Sequence, residues 1–67
     1  MLYKAILRNP TNIVEVEEIS DKEGKEYMNG GVYSYFNART NAGYRFAVGE
    51  TETIALEKLS KGIEGMA

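Results

Sequence analysis

The stretch Tyr27–Gly49, YMNGGVYSYFNARTNAGYRFAVG, decides how this chain folds. It holds six of the seven aromatic residues (Tyr27, Tyr33, Tyr35, Phe36, Tyr44 and Phe46), two arginines, Arg39 and Arg45, and no acid. Eight of the ten acids flank it: Glu15, Glu17, Glu18, Asp21, Glu23 and Glu26 before, Glu50 and Glu52 after. Its rings alternate with small and polar residues, the period of half-buried strands, while its glycines and asparagines supply turns. A segment so rich in rings and free of negative charge builds a core, offers an adhesive surface, or does both.

Read as strands, the stretch divides at its turn residues. Asn29-Gly30 fits a two-residue type I′ hairpin turn between strands at 25–28 and 32–38. In the second of these, Val32, Ser34 and Phe36 share one face, and Tyr33, Tyr35 and Asn37 the other. Asn41-Ala42-Gly43 forms the next turn, and the last strand covers 44–48 with Tyr44, Phe46 and Val48 opposite Arg45 and Ala47.

Upstream, residues 2–8 read as a strand apolar on both faces, and 13–19 as a strand with Val14 and Val16 on one face and Glu15 and Glu17 on the other. Asn9-Pro10-Thr11-Asn12 fits a type I turn between them, and Ser20 to Gly24 a polar loop. Downstream, a helix over about 51–64 opens at Thr51 or Thr53, either of which can accept from the first free amides. Ala55, Leu56, Leu59, Ile63 and Met66 make its apolar stripe, Ile54 falls off that stripe, and Gly62 or Gly65 marks its end. The expected fold is α+β: a small antiparallel sheet of four to five strands in a meander, with one C-terminal helix packed on one face, forming a single domain over 1–67. Val14, Val16, Val32, Phe36, Phe46 and Val48 are the expected sheet contribution to the core. One helix cannot cover such a sheet, so the remainder meets water or another chain.

Composition narrows the function classes. A chain of 67 residues buries only about 60% of its unfolded surface, so its core is marginal. With no cysteine there is no disulfide or thiolate zinc site to supplement it, and self-association, a dimer above all, is a natural way to add core. The net charge of −2 argues against a surface that tracks nucleic acid throughout. No run approaches the roughly 20 apolar residues of a membrane span, and the N-terminus carries no signal-like cleavage site. The expected setting is cytoplasmic, with no membrane contact; the lack of cysteine fits a reducing compartment.

Catalysis finds no obvious machinery. There is no histidine or cysteine to act as nucleophile or base, and Ser34 has no base within its segment. Glu15 and Glu17 share a strand face, but a solvated acidic face explains them more simply than acid–base work. Gly30-Gly31 lacks the lysine and helix of a phosphate loop. The chain is therefore expected to be no enzyme, with no cofactor and no metal. The acidic run from Glu15 to Glu26 could imitate a phosphate backbone, yet Lys22 and Lys25 interrupt it, and a solvated strand and loop is the simpler account.

The candidate binding set is Tyr33, Tyr35, Arg39 and Arg45. Tyr33 and Tyr35 project from one side of one strand, and Arg45 is expected on the matching side of its neighbour. Tyrosine with arginine is the composition of protein-contact hot spots. The same pair can stack a base and meet a phosphate, which makes nucleotides or single-stranded nucleic acid the alternative ligand.

Two short stretches carry a family resemblance. Met1-Leu2-Tyr3-Lys4-Ala5-Ile6 and Phe46-Ala47-Val48-Gly49-Glu50-Thr51, followed by Ala55-Leu56, resemble parts of HicB-type antitoxins. Those proteins begin with a strand of this character and enter a helix through a Gly-x-Thr turn with a later Ala-Leu. The resemblance implies a domain that binds and masks a toxin. The reading that residues and resemblance share is a small non-enzymatic binding module acting through protein–protein contacts, an accessory or inhibitor protein of a bacterium or mobile element.

Overall fold

The computed structural model describes the backbone of residues 1–66 and the side chains of residues 1–62. Its elements run β1 (Leu2–Asn9), β2 (Ile13–Ile19), α1 (Asp21–Lys25), β3 (Tyr33–Asn37), β4 (Ala42–Gly49) and α2 (Glu52–Met66). The α+β class, the four-stranded antiparallel sheet and the C-terminal helix on one face are as the sequence implies. The strand order is β2-β1-β4-β3, so the sheet is two hairpins joined through β1 and β4 rather than a simple meander.

The two hairpins close in the same way. Each has a four-residue loop, Asn9-Pro10-Thr11-Asn12 and Ala38-Arg39-Thr40-Asn41, between the pairs Arg8–Ile13 and Asn37–Ala42. In each, the last asparagine has positive φ, 57° at Asn12 and 56° at Asn41. Its amide donates to the carbonyl four residues back, Asn12 to Arg8 and Asn41 to Asn37, both at 2.8 Å. Asparagine tolerates this left-handed conformation better than other residues with a Cβ. The first loop is thus not the expected type I turn, and it contains a cis Asn9–Pro10 peptide. The second lies upstream of the expected Asn41-Ala42-Gly43 turn, and Ala42 and Gly43 belong to β4.

Residues 25–28, expected as a strand, are instead the end of α1 and the turn after it. Ser20 opens α1 by accepting a hydrogen bond from the Glu23 amide at 3.1 Å. The sequence Ser20-Asp21-Lys22-Glu23 has the form of a capping box, a helix-start signal that outweighs the polar-loop reading. Gly24 of α1 is buried against Leu2 and Ile19, where an added Cβ would approach the Leu2 side chain to 2.5 Å. Asn29-Gly30 still makes a turn, with the Gly30 amide donating to Tyr27 at 3.2 Å, but it leads into β3 rather than closing a hairpin.

The core has two layers because the sheet is covered on both faces. On one face Ala5 and Ala47 lie under Ala55 and Leu59 of α2, flanked by Tyr3, Leu7, Val16 and Val32. On the other, Ile6, Ile19, Phe46 and Val48 pack with Leu2 and Tyr33 of the sheet against Tyr27 and Met28. Four of the expected core residues therefore sit differently. Phe46 and Val48 are buried on the face away from α2, while Val14 and Phe36 face the α2 side but stay half exposed, at 50% and 49%. For Phe46 and Val48 the cause is register: moving the β3–β4 loop upstream changes the pairing by an odd number of residues, which puts them on the face opposite Phe36. Val14 and Phe36 are exposed because they lie near the hairpin loops.

Thr51 is the residue that opens α2, its hydroxyl accepting from the Ile54 amide at 3.1 Å. Ala55 and Leu59 are buried as expected, but Leu56 is 39% exposed. Ile54, off the stripe, lies over Gly49, where a Cβ would come within 2.7 Å of the Ile54 side chain. The helix continues past Gly62, which is a point of close approach to Val32 rather than a helix end. The side chains of Ile63 and Met66 lie outside the described residues. Lys58 ties α2 down: its ammonium donates to the carbonyls of Val48 and Met28, both at 3.0 Å.

Leu59→Ala should cost about 2–5 kcal/mol in urea denaturation, because Leu59 is buried between α2 and the sheet. Ile54→Ala should cost less than half of that. An unchanged urea midpoint for Leu59→Ala would remove α2 from the core. At the second hairpin, Asn41→Val should cost about 1–2 kcal/mol through its positive φ, whereas Asn41→Gly should be nearly neutral.

Candidate functional site

Both hairpin loops lie at one end of the sheet, since β4 runs antiparallel to β1. Both coverings lie towards the other end. The link from β2 to β3, which includes α1, packs over Leu2, Ile6, Ile19, Phe46 and Val48, and α2 crosses Ala5 and Ala47. Among the described residues neither helix covers the loop end, and it holds Ile13, Val14, Tyr35, Phe36 and Tyr44, which are 52%, 50%, 57%, 49% and 37% exposed.

Pairing arranges part of this surface into a row. Arg8 stands opposite Ile13 on one side and Tyr44 on the other, and Tyr44 stands opposite Tyr35. Ile13, Arg8, Tyr44 and Tyr35 therefore cross all four strands on the face away from α2. The Tyr35 and Tyr44 rings stack with centroids 5.7 Å apart. The stack continues inward through Phe46, 6.0 Å from Tyr44, to Tyr33, which lies nearly parallel to Phe46 at 5.4 Å. Tyr27 seals the inner end, edge-on to Tyr33 at 4.9 Å and to Phe46 at 5.1 Å.

The expected binding residues are thereby separated. Tyr35 is the exposed outer ring of the stack. Tyr33 is half-buried, an inner ring packed against Phe46 and Tyr27. Arg39 is exposed at the loop tip, its amide donating to the Asn37 side chain at 2.9 Å. Arg45 is on the other face, opposite Ser34 and Leu7, and does not meet the tyrosines as expected. The arginine beside the rings is Arg8, and the exposed ring paired with Tyr35 is Tyr44. Alternation within each strand is visible in the sequence, but which strand faces meet depends on register. The usable signal was the recurring Thr-Asn that ends both loops.

The cations on this face are compensated. The Arg8 guanidinium lies 3.6 Å from the Glu15 carboxylate, and the Lys4 ammonium 3.6 Å from that of Glu17. Such surface pairs contribute less than about 1 kcal/mol each, but they cancel local positive potential. Lys4 also sits over the Phe46 ring at 5.1 Å. Two depressions flank the row. One of about 270 Å³ lies between sheet and α1, bordered by Lys4, Arg8, Glu17, Glu23 and Tyr27. The other, about 460 Å³, lies between the loops beside Thr11, Tyr35, Asn37 and Thr40. Among the described residues no cluster of acids suits a metal ion, and no helix is long and apolar enough to cross a membrane.

No family model, curated protein or solved structure matches this chain, so the resemblance to HicB-type antitoxins stands on its two short stretches alone.

Arg45 has a structural consequence of its own. Its Nε is buried without a hydrogen-bond partner among the described residues. An unpaired buried donor carries a desolvation cost. Arg45→Met keeps the stem and removes that donor, so it should raise stability by about 1 kcal/mol. A lowered urea midpoint would mean that Arg45 makes a stabilising contact in solution.

Proposed function

We propose that this protein is a non-enzymatic binding module that acts through protein–protein contacts made by the Ile13–Arg8–Tyr44–Tyr35 row. The observation that carries this reading is the concentration of exposed apolar and aromatic side chains at the sheet end that, among the described residues, neither helix covers. Exposed apolar patches of this kind mark interaction sites, and Tyr and Arg are enriched among residues that dominate protein interfaces. Tyrosine offers large contact area with few rotors to freeze.

Nucleotides or single-stranded nucleic acid are the second ligand class. The stacked Tyr35–Tyr44 pair beside Arg8 suits base stacking. Against it stand the carboxylates of Glu15 and Glu17 on the same face and the acidic whole. A cytoplasmic accessory or inhibitor protein of a bacterium or mobile element fits the protein-contact reading, and masking of a toxin would be one form of it.

The test uses immobilised wild type and the double variant Tyr35→Ala with Tyr44→Ala, both incubated with host extract. A protein retained by wild type at about 0.5 M salt, where the Debye length is roughly half its physiological value but apolar contact persists, and lost from the folded variant is the expected result. Retention of nucleic acid that disappears as salt rises would favour the second class. Equal retention by wild type and folded variant would show that the row is scaffold only.

A further inference from the structure

We propose that strand β3 pairs with β3 of a second copy of this chain, joining two four-stranded sheets into one across a two-fold axis at Tyr35. The two edges of the sheet are unequal. β2 carries Glu15, Glu17 and Glu18, which oppose the approach of another β2. β3, Tyr33-Ser34-Tyr35-Phe36-Asn37, carries no charge and no proline, and its residues 34–37 are all exposed. Natural edge strands are ordinarily blunted by lysine, proline, bulges or a covering element. Among the described residues β3 has none of these.

Charge and symmetry together select the occupant. Pairing of β2 with β2 sets like charges against each other. Pairing of β3 with β2 is head-to-tail and builds an open chain of molecules rather than a closed pair. Pairing of β3 with β3 is antiparallel and closed. Full overlap of this five-residue strand sets Tyr35 opposite its own copy, with Ser34 facing Phe36 and Tyr33 facing Asn37. The Tyr44–Tyr35 stack, which ends at the open edge, then continues into the same stack of the second molecule. Edge pairing uses main-chain groups and leaves both sheet faces open, so this inference goes beyond the binding row and does not rest on it.

The experiment is sedimentation equilibrium on purified wild type, Tyr35→Lys and Tyr35→Glu, alone and mixed in equal amounts, with circular dichroism to confirm folding. Wild type should be a dimer at about 10–100 µM, in the range of a modest interface. Each charged variant should dimerise about tenfold or more weakly, because its new charge faces an identical one. The equal mixture should recover the dimer, because lysine then faces glutamate. A wild type that stays monomeric throughout that range overturns the proposal. So does a dimer unaffected by either variant, or a mixture of folded variants that remains monomeric. Self-association is read on pure protein and partner retention on extract, so failure of one leaves the other standing or falling by itself.

Discussion

The antiparallel pairing of β1 with β4 is the constraint on which the rest of the structure depends. It joins residues about forty positions apart, from Tyr3–Gly49 to Asn9–Gly43, and closing so long a loop costs entropy before any contact offsets it. Near its centre Ala5 stands opposite Ala47, both fully buried. Two alanines side by side leave a shallow place in the sheet, and Ala55 of α2 fills it with Leu59 beside it. Neither hairpin would be stable alone, since a two-stranded ribbon has no protected apolar face. Joined, they give a sheet that can be covered from both sides.

The coverings are short and fall at the same end. α1 and the turn after it shelter Ile6, Ile19, Phe46 and Val48, and α2 shelters the alanine centre on the opposite face. Lys58 links the two layers through the carbonyls of Val48 and Met28. Among the described residues no further element covers the loop end. The side chains left exposed there include tyrosine, a residue type that makes strong contacts.

The aromatic stack connects stability to this surface. Its inner members, Tyr27, Tyr33 and Phe46, are core, and its outer members, Tyr44 and Tyr35, reach the edge strand. The inner rings hold the outer ones in place, which limits the ordering cost that contact with a partner would otherwise incur. Glu15 and Glu17 on the neighbouring strand hold Arg8 and Lys4 beside the row while neutralising them, which tilts the surface towards apolar and hydrogen-bonded contact over phosphate binding.

Local chemistry alone determined a good deal. Alternation in residues 2–8, 13–19 and 32–38 marks strands whose two faces are correctly sorted, and Thr51 before an apolar stripe marks the helix start. Ser20-x-x-Glu23 marks α1 as well, once the side-chain cap is weighed above the loop composition. Those features act within a few residues, so the sequence displays them directly. Which faces meet was decided only in the tertiary structure. The left-handed Asn41 places the β3–β4 turn upstream of Gly43, and that shift sets Tyr33 and Tyr35 against Phe46 and Tyr44 and sends Arg45 to the other side. The pairing of β1 with β4 then brings Arg8 to Tyr44. Register is a relation between distant strands, and a single-residue change in it reverses every side chain, so alternation within one strand cannot specify it.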